Sequence, residues 1–389
     1  MLSSLARDSH APRTIILSKG EHQRQNAQNR GKSDTAQESG VFLTVSEHRL
    51  PRVCLLASSE TSASVLYGLY DVLSTAGAVY AEMVSAAPGE KVLDVRIVSV
   101  TRDPFRCFGG IVVEPHATIG EVTSAEVVIV CDMYIPVDTP PHGRYGPEID
   151  WLKRMYRNGA ILGSVCSGSL VLAEAGLLDE QEASGHWAYA DLFRKHYPKI
   201  RFRLDSILSF GGEQDRIVTA GGVTSWQDLA LHLISRLCGT QDAIRTAKIY
   251  LLSDHADGQL PFAVLAPRVQ THDAVIGACQ AWIAEHYDCQ NPVASMTARS
   301  GLKPRTFARR FLAATGYHPV EYVHTIRVEE AKQMLETDTI GVEEIGRVVG
   351  YEDPAFFRRL FKRKAGVTPA AYRRKYSTMV GANGERARH

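Results

Sequence analysis

Cysteine is sparse and unpaired: seven are scattered through 389 residues, and no two stand in a CxxC arrangement. An odd number without paired spacing argues against a disulfide framework and a structural zinc site, and for a reducing compartment. No apolar run approaches the ~20 residues that a bilayer-crossing helix needs, and no secretory signal is visible, so the cytoplasm is the expected location and no membrane partner is expected. Residues 1–49 are poor in large apolar groups, above all in HQRQNAQNRGKSDTAQESG. Such a stretch buries too little surface to offset its ordering entropy and is expected to be a disordered extension. Acidic residues are missing altogether from Phe357 to Tyr376, where eight basic residues stand.

What is present is ordinary in bulk, with 44% hydrophobic and 22% charged residues, enough for two or three domains with sizeable cores. The C-terminal quarter is unusual because it repeats itself. Arg309, Phe311, Gly316, Pro319 and Tyr322 are answered 50 residues later by Arg359, Phe361, Gly366, Pro369 and Tyr372. Met296 and Gly301 answer to Ile345 and Gly350 at an offset of 49, so one copy has an extra turn residue. Two copies are too few for a solenoid.

Each copy reads as two short helices around a glycine-containing turn. KPRTFARRFLAATG and DPAFFRRLFKRKAG start at proline and stop at glycine, with Phe307 and Phe311, then Phe357 and Phe361, on the inward face. Thr297 and Gly346, four before each turn glycine, suit helices that cross closely. That plan is a helix-turn-helix, whose second helix enters the major groove. FFRRLFKRKAGVTPAAYRRKY resembles the C-terminal signature of the AraC/XylS transcription regulators, over about a quarter of the chain. The resemblance implies two helix-turn-helix units joined by a long helix, here PVEYVHTIRVEEAKQMLETD. Charge agrees: residues 291–376 carry 16 Lys/Arg against 9 Asp/Glu, a net +7, while the whole chain is +1, so the other 303 residues sum to −6. Such asymmetry is the footprint of a nucleic-acid-binding module.

Upstream, apolar runs such as RVCLLA, VRIVSV and AEVVIVCD alternate with helical stretches such as SASVLYGLYDVLSTAG. The expected fold is α/β, a doubly wound, mostly parallel sheet, followed by the all-α domain. Between the strand AILGSV and the helix SLVLAEAGLL lies SVCSG, a sharp turn placing Cys166 like a nucleophile elbow, with His186 in SGHW 20 residues later. This region is similar to the class I glutamine-amidotransferase-like, PfpI-type superfamily, and its union with an AraC-type unit resembles the GlxA-type regulators. Ser225 and Asp228 have the spacing of a capping box for the helix that closes the domain.

The expected organisation is an extension over 1–49, an amidotransferase-like sensor over 50–239, a linker over 240–271, the DNA-binding domain over 272–376 and a tail over 377–389. Nucleophilic catalysis needs a base, a group that orients it and oxyanion donors. Cys166 and His186 would be nucleophile and base if the chain were an enzyme, but where enzymatic members of the resembled superfamily carry the orienting acid after the first strand, this chain has Ser64 or Val65. A regulator is therefore expected rather than an amide hydrolase, with no metal or cofactor. Its effector would sit over Cys166, Ser167, Asp132 and His186, with Trp187 and Trp226 as walls. The resemblance implies a nitrogenous metabolite, and aromatic walls suit an amino acid or a quaternary amine. Operator DNA would be read by Arg305, Thr306 and Arg309 in one helix and by Ala355, Phe356, Arg358 and Arg359 in the other. A homodimer and an RNA polymerase contact complete the expectations.

Overall fold

In the computed structural model the described residues are 49–384, except Ala86, Asp254 and 265–270. The expected disordered extension lies outside the described residues apart from Arg49.

The chain opens with β1 (Arg52–Leu56), α1 (Ala63–Ser74), α2 (Val79–Ser85) and β2 (Asp94–Ser99). Short strands β3 (Phe105–Arg106) and β4 (Val112–Val113) pair as a hairpin, and β5 (Ala117–Thr118) and β6 (Val127–Val130) follow. Next come α3 (Gly146–Arg157), β7 (Ile161–Val165), α4 (Gly168–Glu174), β8 (Glu182–Ala183), α5 (Ala190–His196) and β9 (Arg201–Phe202). β10 (Leu208–Gly211), β11 (Ile217–Ala220), α6 (Trp226–Cys238) and α7 (Thr240–Tyr250) complete this half.

Seven strands form one sheet in the order β10-β11-β7-β6-β1-β2-β5, parallel except where β10 meets β11. Alternation sorts its side chains between two cores. Val53 and Leu55 of β1 join Val65, Leu69 and Leu233 from α1 and α6 on one face. Cys54 and Leu56 join Trp151, Leu170 and Phe193 from α3, α4 and α5 on the other. All four residues of β6 are buried, as a strand covered on both faces requires. The doubly wound reading is correct.

The C-terminal half is entirely helical: α8 (Ala274–Glu285), α9 (Pro292–Ser300), α10 (Pro304–Thr315), α11 (Pro319–Thr337), α12 (Val342–Val348), α13 (Pro354–Ala365) and α14 (Pro369–Gly384). α9–α10 and α12–α13 are the two helix-turn-helix units. Their recognition helices end at Gly316 and Gly366, both in the left-handed region at φ +77°, where a side chain would be strained. Phe307 and Phe311 are buried in one core, Phe357 and Phe361 in another. Each such ring removed from water contributes about 1.5–3 kcal/mol. α11, about 28 Å long at 1.5 Å per residue, belongs to both. Its Tyr322 and Val323 lie in the first core, and its Val328, Ala331 and Leu335 in the second. Gly346 is small for a steric reason, since a Cβ there would stand 2.9 Å from the Phe357 ring.

The capping-box expectation at α6 fails. Ser225 precedes the helix but makes no side-chain cap bond, and Asp228 instead pairs with His255, its Oδ2 2.7 Å from Nδ1.

Candidate functional site: an elbow over the sheet and two recognition helices

β7 lies between β6 and β11, and the loops after β1, β6, β7 and β11 gather at the carboxyl edge of the parallel sheet, where open α/β sheets bind ligands. Cys166 follows β7 directly and has φ +56°, a left-handed conformation uncommon for a residue with a side chain. Its backbone N–H is held by the carbonyls of Ala220 (3.1 Å) and Gly221 (2.9 Å) after β11. The elbow read from SVCSG is present.

Its chemistry is not that of an activated thiol. Cys166 is only 7% exposed, and burial, reinforced by the negative Asp132, pushes its pKa up to about 12. A nucleophilic cysteine needs the opposite shift. His186 is also wrong for a base. Its Nδ1 accepts the Ala188 N–H at 3.1 Å, so the neutral ring carries its proton on Nε2 and its one basic lone pair is already engaged. Burial lowers its pKa, favouring that neutral form. Among the described residues no hydrogen bond joins the thiol to His186.

The other predicted site residues divide. Asp132 is buried, with its carboxyl raised by burial against two bonds from Ser62: the N–H donates to Oδ1 (3.3 Å) and the hydroxyl to Oδ2 (2.7 Å). The Ser167 hydroxyl is spent on the Met133 backbone, donating to its carbonyl (2.5 Å) and accepting its N–H (2.9 Å). Trp187 stacks obliquely on His186 at 5.0 Å, in the short turn Trp187–Tyr189. Trp226 packs against α1, where a Cβ on Gly68 would meet its ring at 2.6 Å. Sequence reasoning missed Ser62, Tyr189 and an exposed aromatic pair, Phe108 and Tyr134, stacked with centroids 4.8 Å apart. Tyr189 is raised by burial to about 12, and its hydroxyl donates to the Ile135 carbonyl at 2.7 Å, in the loop that follows Asp132 and Tyr134. Periodicity could not expose loop residues of this kind.

In the helical half, Arg305 and Arg309 of α10 and Arg359 of α13 are exposed and form no ion pair among the described residues. Arg358 is exposed too, but pairs with Glu343 of α12 at 3.1 Å. Phe356 is 38% exposed beside His324 and Tyr351, while Thr306 and Ala355 are half-buried. The duplicated positions Arg309 and Arg359 thus both face outward. The residue that ties the turn of the second unit to the loop between α8 and α9 is one the sequence did not flag. Arg327 of α11, 6% exposed, donates to the carbonyls of Tyr287 (2.6 Å), Gly350 (2.8 Å) and Cys289 (2.9 Å), with Tyr351 under its guanidinium.

A parallel sheet with a cysteine elbow, joined to tandem helix-turn-helix units, defines a two-domain architecture of the DNA-binding regulator class. Comparison with known proteins agrees: residues 52–236 match the DJ-1/PfpI family, and residues 296–375 match a helix-turn-helix domain. The HTH-type transcriptional regulator CdhR of Pseudomonas aeruginosa is 28% identical over 228 residues, which is 57% of this chain and 65% of that one. The HTH-type transcriptional regulator GlxA of Rhizobium meliloti is 28% identical over 240 residues, 59% of this chain and 73% of that one. This chain therefore spans about two thirds of the length of these relatives. A solved AraC family transcriptional regulator from Pseudomonas putida aligns at 21% identity and a TM-score of 0.41, over 51% of this chain and 99% of that one. The chain belongs to the AraC-type helix-turn-helix regulators that carry an N-terminal DJ-1/PfpI domain. No described helix is long and apolar enough to cross a membrane.

Proposed function

We propose that the protein is a cytoplasmic, ligand-responsive transcriptional regulator. Its α10 and α13 read successive major grooves of an operator while the elbow site binds a small molecule without turning it over. The observation that carries this reading is the contrast in side-chain state: unpaired, exposed arginines on both recognition helices, against a thiol held neutral at the elbow. Arginine in a major groove reads guanine bidentately, and exposed arginines are ready to do so. At the elbow, Asp132 and the Phe108–Tyr134 stack suit a cation with apolar flanks, such as an amine or a quaternary ammonium. An amino acid would place its ammonium there as well. A homodimer would double the operator, and RNA polymerase is the natural downstream partner.

The test uses the full chain. Selection from a random duplex pool yields an operator, and titrations with rising salt count the phosphates engaged. Arg309→Ala combined with Arg359→Ala weakens binding to that duplex; unchanged affinity at physiological salt would sink the recognition-helix assignment. A thermal-shift panel of amino acids, amines and betaines then finds the effector, since a millimolar ligand at a micromolar site gives stabilisation of about 4 kcal/mol. Consumption of the hit, abolished in Cys166→Ala, would restore the amide-hydrolase reading.

A further inference from the structure

Residues 255–264 lie in the stretch expected to be a linker, and they bond to both halves of the molecule: through the buried Gln259 side chain to the sheet half and through backbone carbonyls to the helical half. At the sheet end, the turn at Gly258 brings the chain against the loop before β10, where a Cβ would stand 2.4 Å from the Asp205 carbonyl. Gln259 is 3% exposed. Its Oε1 accepts the Gly222 N–H at 2.9 Å, and its Nε2 donates to the Ser206 carbonyl at 3.2 Å. The fit is tight, since a Cβ on Gly221 would meet the Gln259 amide at 2.5 Å. This same Gly221–Gly222 turn holds the elbow: the Gly221 carbonyl receives the Cys166 N–H, and Gly222 lies 3.4 Å from the His186 ring when given a Cβ.

At the helical end, the Ala263 carbonyl accepts from Lys332 Nζ of α11 (2.8 Å), a lysine 3% exposed and also bonded to Glu329. The Pro261 carbonyl accepts from Tyr376 of α14 at 2.8 Å, and Lys375 lies over the Phe262 ring at 4.1 Å. The N–H groups of Phe262 and Ala263 return to the Gln259 carbonyl (2.9 and 3.1 Å), so the two anchors are one tight turn apart.

We propose that residues 255–264 are a relay in which Gln259, seated on the Gly221–Gly222 turn, transmits the state of the elbow site to the second helix-turn-helix unit through the Pro261 and Ala263 carbonyls. It rests on the reading of that site as a sensor and supplies its mechanism. A buried amide and a buried ammonium leave unsatisfied groups if either end lifts, so the segment is held at both ends or at neither. A ligand that moves the turn after β11 must therefore act on α11 and α14, whereas the first unit has no bond to this segment among the described residues.

The experiment needs neither DNA nor effector: residue-resolved hydrogen–deuterium exchange on the full chain. Lys332→Met removes the ammonium at the helical end. The Phe262 and Ala263 amides should exchange faster, and so should the Gly222 amide in the other half, by roughly 10-fold or more. In the reverse direction, Gly221→Ala displaces Gln259 and should speed exchange at Ala263 while Val128 in the sheet centre keeps its protection. Faster exchange at Phe262 and Ala263 with Gly222 unchanged within about twofold means the ends are independent and overturns the relay. Should Lys332→Met fail to fold, Tyr376→Phe, which removes one hydroxyl, puts the same question. Failure of DNA binding in the separate duplex assay would sink the regulator reading and leave this exchange result standing.

Discussion

The two helix-turn-helix units share one plan and differ in how they are held. The first presents Arg305 and Arg309 without ion pairs, and reaches the sheet domain through Arg194, which donates to the Gly316 carbonyl at 2.9 Å. The second is tied by Arg327 to the loop between α8 and α9, by Glu343 on Arg358, by Asp353 capping α13 at the Ala355 N–H, and by Lys332 and Tyr376 on the segment from the sheet domain. Duplication copied the core and the outward arginines. The polar fastenings differ: in the first unit Arg310 pairs with Asp273, the cap of α8, and only the second unit is bonded to the segment from the sheet domain among the described residues.

The largest test of that difference is Arg327→Ala. Three part-buried carbonyls lose a charged donor, two on the loop before α9 and one on the turn of the second unit, so stability should fall by about 3 kcal/mol, with amide exchange rising more at Phe357 and Phe361 than at Phe307 and Phe311. Equal loss in both units would show that α11 melts them together. Smaller effects are expected in DNA binding. Arg305→Ala or Arg309→Ala should each cost about 1–3 kcal/mol if it reads a base. A phosphate contact would instead lower the salt slope by about one and weaken all sequences alike, so anisotropy titrations on the selected duplex and a scrambled one separate the two.

The asymmetry also has a pH signature. His324 of α11 sits against Tyr351, its Nδ1 2.8 Å from the hydroxyl, and burial lowers its pKa. The ring is neutral in the fold, and in the unfolded chain it takes a proton near pH 6.5. Its contribution is therefore complete above about pH 6.5 and declines as pH falls through the depressed folded value. Melting followed at the second unit should weaken faster on acidification than at the first, and His324→Gln should flatten the difference; parallel profiles would remove His324 from the account. The smallest effect is at Glu343. Its pair with Arg358 is exposed at both partners, so Glu343→Gln changes stability by under about 1 kcal/mol but should tighten binding to any duplex a few-fold by freeing the guanidinium.

Much of this was legible in the amino-acid order because burial is periodic. The near-continuous apolar run VVIV predicted a strand covered on both faces, and phenylalanines four apart marked the inward side of each recognition helix. The elbow was legible because small residues between a strand and a helix leave room for the sharp turn that puts Cys166 at φ +56°. Partners were not legible. Nothing near Gln259 announces that it fills a gap between glycines far back in the chain, and Asp228 looked like a cap until His255 came within reach. Arg327 looked like any helical arginine, and its three acceptors lie on two loops that only the fold brings together. Polar fastening depends on which turns meet, and local pattern holds no record of that.

The buried thiol has a consequence for a cell under oxidative stress. Peroxides attack the thiolate, and with the thiol pushed up to about 12 only roughly one molecule in a hundred thousand carries that form at pH 7. Cys166 should then survive oxidant doses that convert reactive cysteines to sulfinic acid, and the elbow would keep its shape when redox-sensing cysteines elsewhere have already changed state.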